Sequence, residues 1–184
     1  MQKLLKWVKQ IMIASVLLIA VTSCGFHLRG VGSIPQPLHK LYISGNDPYS
    51  EFMHHLKNSL NNAGIEVVDH SDQSPYLLKV TNTSLSTHQT STASSEQLRQ
   101  YKVTFNAHFI LQDQAHQPIV PPFSLKATQT QTMSPGELLE NSPQLNQIKR
   151  DLYDKITNQL FDHLSATNVS QAIKQHQSLT ATKS

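Results

Sequence analysis

The chain has 184 residues, 38% of them hydrophobic, with 15 Lys and Arg against 12 Asp and Glu and a formal net charge of +3. Three of the basic residues, Lys3, Lys6 and Lys9, fall in the first nine positions, so the remainder is formally neutral, with twelve charges of each sign. Whole-molecule attraction to nucleic acid or to an acidic leaflet is thereby excluded, and a single cysteine, Cys24, excludes an internal disulfide.

The first element is a leader. The three lysines precede an apolar run from Ile11 to Val21, the layout of a secretory signal peptide. Eleven residues at ~1.5 Å each reach only about half of a ~30 Å hydrocarbon core, so the run is too short to span. Thr22 and Ser23 supply small side chains for cleavage, and a thiol follows at once. This resembles the bacterial lipoprotein signal, and the resemblance implies that residues 1–23 are removed. It further implies that Cys24 carries an S-diacylglycerol and an N-acyl chain of the palmitate kind. Two or more acyl chains anchor stably where one does not. In that class aspartate after the cysteine commonly retains the protein at the inner membrane. Gly25 stands there instead, which points to the periplasmic face of the outer membrane.

From Cys24 onward Ser, Thr, Asn and Gln number 57 against 24 charged residues. Burying amides and hydroxyls that find partners is far less costly than burying unpaired ions. The composition therefore suits a protein enclosed by a polar cavity, and equally an ordinary periplasmic domain of one core.

Residues 24–37 read as a lipidated tether, punctuated by Gly and Pro. Leu38 to Ser44 alternate as a first strand. Asp47-Pro48 offers an N-cap and a first-turn proline for a helix to about Ala63. Phe52, Leu56, Leu60 and Ala63 form its stripe and Gly64 its left-handed stop. Ile65 to Val68 is a short apolar piece, and the turn-rich Asp69 to Pro75 leads into a second strand, Tyr76 to about Thr87. His88 to Gln97 is a polar tip.

Tyr101, Val103, Phe105, Ala107, Phe109 and Leu111 alternate with polar residues, the pattern of a strand with one buried face. A fourth strand runs from Phe123 to Met133. Ser142 caps a helix from Pro143 to about Leu164, with Leu145, Ile148, Leu152, Ile156, Leu160 and Leu164 in one stripe. Residues 167–184 lack an apolar pattern and read as a flexible tail. The expected fold class is α+β, a two-layer sandwich of two helices on a four-stranded mixed sheet in the order β-α-β-β-β-α, with the domain at 38–166.

Signatures of chemistry are few. The ten histidines include no pair spaced for one helix face and no His-Glu-x-x-His, so no metal or cofactor is expected. No Gly-x-Ser-x-Gly elbow occurs, and Gly30-Val31-Gly32 lacks the strand and helix that a nucleotide loop needs. Asp151 and Asp154 fall opposite the last helix's apolar stripe and read as solvated, so no enzyme is expected.

Lys149 is the exception. With Leu145 at zero and ~100° per residue, Ile156 falls near ~20°, Leu160 near ~60° and Lys149 near ~40°, inside the stripe. Its stem either packs while the ammonium snorkels to the sheet edge, or the ammonium meets a phosphate with Arg150 adding planar donors. Lys102 and Lys126 lie on the polar side of the strands and are candidates for the same patch.

Taken together, three groups of residues resemble the LPS-assembly lipoprotein family LptE: Cys24-Gly25-Phe26-His27-Leu28-Arg29-Gly30, the helix ending at Gly64-Ile65-Glu66-Val67-Val68, and Ile148-Lys149-Arg150-Asp151-Leu152-Tyr153-Asp154 with Gln159-Leu160. The likeness spans about Cys24 to Leu164. It implies a domain seated as a plug in the lumen of a large outer-membrane barrel, LptD, which helps that barrel assemble and binds lipopolysaccharide during export. Large barrels have polar interiors, in keeping with the uncharged polar composition. By position Lys149 matches the family's basic residue on the last helix that fits a lipid A phosphate. The tip departs from the pattern, having Ser, Thr and Ala where relatives can carry a basic residue, and Arg99 just beyond is the candidate substitute. A stand-alone periplasmic binding or pilot-type lipoprotein for another secretion channel is the alternative.

Overall fold

The computed structural model describes residues 34–92, 99–133, 139 and 142–181. The leader, Cys24 and the first part of the tether lie outside the described residues, as does the far end of the tip. The tether is already part of the core where it becomes described. Ile34 is buried, and a 3-10 turn, Gln36–Leu38, drives Leu38 to full burial just before the first strand.

Five strands and three helices follow: β1 (Lys40–Gly45), α1 (Glu51–Asn62), β2 (Glu66–Val68), β3 (Tyr76–Thr92), β4 (Arg99–Asp113), β5 (Phe123–Met133), α2 (Pro143–Leu164) and α3 (Thr167–Ala181). The sheet order is β2-β1-β3-β4-β5. β1 runs parallel to both β2 and β3, and the β3-β4-β5 meander is antiparallel. The class is the expected α+β with helices on a mixed sheet. The counts differ by one strand and one helix.

The extra strand is β2. Only three residues long, it is too short for alternation to identify, and it exists because Lys40, Leu41 and Tyr42 pair with Glu66, Val67 and Val68. Lys40 Nζ lies 3.2 Å from Glu66 Oε1 across that pairing. The extra helix replaces most of the expected flexible tail. In α3, Val169 and Ile173, one turn apart, are fully buried, and His176 Nε2 lies 2.9 Å from Asp113 Oδ2 at the end of β4. Two large apolar residues make too sparse a stripe to read as a helix without the surface beneath them.

Helix ends are set by local chemistry. The N-cap of α1 is Ser50, whose Oγ accepts from Met53 N–H at 3.3 Å. The expected cap, Asp47, instead closes the turn before the helix, its carbonyl accepting from Ser50 Oγ at 2.9 Å. Gly64, at φ +84°, follows α1 as the left-handed stop. Ser142 caps α2 by accepting from Leu145 N–H at 3.2 Å.

Cross-strand partners share a face of a sheet, so the register sorts the meander into two sides. One carries Leu78, Val80, Val103, Phe105, Ala107, Phe109, Leu111 and Ala127, all buried. Against it pack Phe52, Met53, Leu56 and Leu60 of α1 and Ile148, Leu152, Ile156 and Leu160 of α2, in a single hydrophobic core. Phe52, Phe105 and Tyr153 meet at its centre with ring centroids 4.9 to 5.4 Å apart, in the tilted and edge-on geometries aromatic rings prefer. A bulge between Val80 and Asn82 shifts the alternation of β3 by one residue, so that Thr83, Leu85 and Thr87 pair with the core residues Ala107, Phe105 and Val103.

Candidate functional site

Among the described residues, no helix packs on the second face of the meander. Beyond the β3 bulge its residues are Asn82, Ser84, Ser86 and His88 of β3, then Gln100, Lys102, Thr104, Asn106 and His108 of β4, then Ser124, Lys126, Thr128, Thr130 and Thr132 of β5. Lys79, nearer the start of β3 and paired with Ile110, shares this face, so among the described residues it carries three formal charges, Lys79, Lys102 and Lys126, and no carboxylate. The short polar groups bond one another across the strands. Thr104 Oγ1 and Thr128 Oγ1 are 3.2 Å apart, Asn106 Nδ2 donates to Ser84 Oγ at 3.3 Å, and Ser124 Oγ and His108 Nδ1 are 2.7 Å apart. The result is a polar platform, its hydroxyls and amides partly paired with one another, with three cations standing on it.

Lys149 sits on the other side of the sheet. α2 runs antiparallel to β5: His163 stacks on Phe123, Gln159 Nε2 donates to the Lys126 carbonyl, and Lys155 Nζ donates to Gln129 Oε1 at 2.9 Å. Lys149 and Arg150, earlier on the helix, therefore lie level with the far end of β5, where Gln131 faces Tyr101 and Met133 faces Arg99. Lys149 is half-buried beside the apolar stripe, as its angular position required. Among the described residues it has neither a hydrogen bond nor an ion pair. Arg150 is exposed, and its Nη2 donates to Gln147 Oε1 at 2.7 Å.

The register thus divides the expected basic patch. Lys149, Arg150 and Arg99 belong to the helix side, at the end of the sheet nearest the tip. Lys102 and Lys126 project from the opposite face, with the thickness of the sheet between the two sets. Cys24 lies outside the described residues.

Sequence reasoning missed a polar seam between α2 and β5. Asp151, read as solvated, is half-buried: its Oδ1 accepts from Gln147 Nε2 at 2.8 Å and its Oδ2 from Gln129 Nε2 at 3.3 Å. With Lys155 on the other end of Gln129, the seam fixes the angle at which α2 presents Lys149. Asp154 is exposed and lies 3.1 Å from His55 Nε2, in a geometry that makes no hydrogen bond. Spacing of Gln129 and Gln147 carried no signal, because glutamines on a strand and a helix obey no periodicity of their own.

The sequence family described as LptE, Lipopolysaccharide-assembly, matches residues 38–164, from the last residue of the 3-10 turn to the end of α2. The chain belongs to this LptE family of lipopolysaccharide-assembly lipoproteins. It is 23% identical over 159 residues to the LPS-assembly lipoprotein LptE of Pectobacterium atrosepticum, covering 85% of this chain and 84% of that one. Two solved structures share its fold. Lipoprotein B from Nitrosomonas europaea superposes with a TM-score of 0.63 at 17% identity, over 83% of this chain and 97% of the other. Rare lipoprotein B from Shewanella oneidensis gives 0.59 at 16%, over 72% and 98%. The LptE match ends where α2 ends, so α3 lies beyond the matched residues. Among the described residues no helix is long and apolar enough to cross a membrane.

Proposed function

We propose that this LptE-family chain is held at the periplasmic face of the outer membrane by lipid on Cys24. There it sits as a plug within the lumen of an LptD-type β-barrel, helps that barrel assemble and contacts lipopolysaccharide during export. It performs no reaction. The observation that carries the reading is the face of the β3-β4-β5 meander turned away from the helices, which among the described residues holds no carboxylate and only three cations. Such a face can lie against the polar inner wall of a barrel without leaving an unpaired anion in a confined space. Three pairs of its polar side chains already bond one another, and the remaining hydroxyls and amides need only water or wall groups.

Lipopolysaccharide presents phosphates, and the half-buried Lys149 is suited to one of them. Its stem is held by the apolar stripe, its ammonium has no partner among the described residues, and Arg150 beside it adds planar donors. Lys102, Lys126 and Arg99 are secondary candidates, the first two only for a ligand reaching the other face.

The test is extraction of the full-length chain in mild detergent after growth with labelled palmitate. A stable complex with a large barrel, and label that is lost in Cys24→Ala, are the expected results. A chain that elutes alone, or one whose Cys24 carries no lipid, overturns the proposal. A depletion phenotype limited to one secreted cargo, with surface lipopolysaccharide intact, would favour a pilot-type lipoprotein instead.

A further inference from the structure

β1 ends at Gly45, opposite Val80, and β3 continues from Thr81 to Thr92 with no strand on that side among the described residues. Alternate residues of such an edge turn their N–H and C=O groups outward, where an incoming chain can pair with them. The two long edges of this sheet are treated differently. On β5, Gln159 Nε2 reaches over from α2 to the Lys126 carbonyl at 3.1 Å, and Gln131 Nε2 bonds the Thr132 carbonyl at 3.1 Å. On β3, Asn46 Nδ2 bonds the Thr81 carbonyl at 2.7 Å. Among the described residues, no side chain reaches the backbone of Asn82 to Gln89.

Bulges stand only at the two ends of this edge, between Val80 and Asn82 and between Gln89 and Ser91, and the other usual devices against edge pairing are missing. From Thr81 to Gln89 there is no proline, lysine or carboxylate, and His88 is the one titratable side chain. In the middle of this edge stands Leu85, 39% exposed, directly opposite the buried Phe105. Where β1 stops, Gly45, Asn46, Ser50, Met53, Val80 and Thr83 line a cavity of about 220 Å³. Tyr49, in the turn above it, is 85% exposed. Among the described residues, two of the three exposed large apolar side chains thus flank the place where a strand continuing the line of β1 would lie.

We infer that the Thr81–Gln89 edge of β3 receives an extended, uncharged segment of the enclosing barrel as an added strand, with an apolar side chain seated beside Leu85. This rests on the plug reading above. Backbone pairing supplies the attraction and alternate side chains the register. The absence of charge along the edge selects a neutral segment, so the pairing is insensitive to salt. Enclosure by the barrel directs the edge to that partner rather than to a second copy.

The experiment compares backbone amide exchange of the lipidated full chain, alone and in its barrel complex, at low and high salt. Exchange across Asn82 to Gln89 is expected to slow at least tenfold in the complex at both, with a smaller change along the outer edge of β5. Leu85→Lys is expected to lower recovery of the barrel at least tenfold, and Gln131→Lys on β5 to leave it unchanged. Because a variant can misfold, photo-cross-linkers at Thr83, Leu85 and Thr87 provide a second readout, expected to reach residues spaced by two along one barrel segment. An intact complex with unchanged exchange at this edge, or cross-links to a second copy of the chain, overturns this inference and leaves the plug reading standing. If the wild-type chain yields no barrel complex, both fall.

Discussion

His163, in the last turn of α2, stacks on Phe123 at the start of β5 with ring centroids 3.7 Å apart and planes 27° from parallel. Phe123 in turn stacks on Phe109 in the core at 5.5 Å. Burial disfavours the charged imidazole and holds the His163 pKa below the ordinary histidine value. Between the folded pKa and the unfolded value near 6.5, the unfolded chain binds the proton more readily. The stability contributed by neutral His163 is therefore complete above about pH 6.5 and is lost as pH falls below it. In urea titrations from pH 7.5 to 5.5, the wild type should lose ground progressively to His163→Phe. A difference that stays constant with pH would show that the ring does not titrate in this contact.

Ser50 and Asp47 compete for the start of α1, and the geometry assigns the cap to Ser50. Ser50→Ala removes the acceptor for Met53 N–H and should cost about 1 kcal/mol, whereas Asp47→Ala should stay within about 0.5 kcal/mol because only the Asp47 backbone carbonyl is used. Urea midpoints of the two variants separate them. A larger loss in Asp47→Ala would return the cap to the aspartate.

α3 contributes to the core despite its polar composition. Val169 and Ile173 are 0% and 1% exposed, and the His176 contact with Asp113 ties the helix to the end of β4. Ile173→Ala should destabilise the domain by about 2 to 4 kcal/mol, and removal of residues 167–184 by at least as much. Thermal or urea unfolding of the two variants measures this. A truncated chain as stable as the full one would mean that α3 is an appendage.

The contrast between α2 and α3 shows what the sequence can convey. Six apolar residues from Leu145 to Leu164 define a stripe that requires a surface beneath it, and Ser142 marks its start, so α2 was legible to the residue. β4 was legible for the same reason in period two. α3 has two large buried residues, and β2 has three residues in all. Each is held by what it packs or pairs against rather than by its own pattern. The position of Lys149 in the stripe could be computed from a 100° rotation. The alternation of β4 likewise sets Lys102 on the polar side, away from the stripe that holds Lys149; what it could not convey is that Lys126 stands near Lys102, which takes the register of β4 with β5. The seam of Gln129, Gln147 and Asp151 is of the same kind, a product of two elements meeting.

Lys149 and the pair Lys102 and Lys126 are on opposite sides of the sheet, so one ligand phosphate cannot be shared by all three. A partly buried ammonium in a charge-assisted contact contributes more than an exposed one, which solvent screens. Lys149→Glu should therefore weaken lipopolysaccharide association about tenfold or more, equivalent to ~1.4 kcal/mol, without lowering the unfolding midpoint. Lys102→Gln and Lys126→Gln should each change it less than about threefold. Raising salt should narrow the gap between wild type and Lys149→Glu only modestly, since the stem holds the charge against the stripe rather than in bulk water. Binding of the purified chain to immobilised lipopolysaccharide at two salt concentrations reads all three variants together. Unchanged affinity in Lys149→Glu would mean that the lysine only snorkels from the helix stripe, and a larger loss in Lys126→Gln would move the contact to the open face.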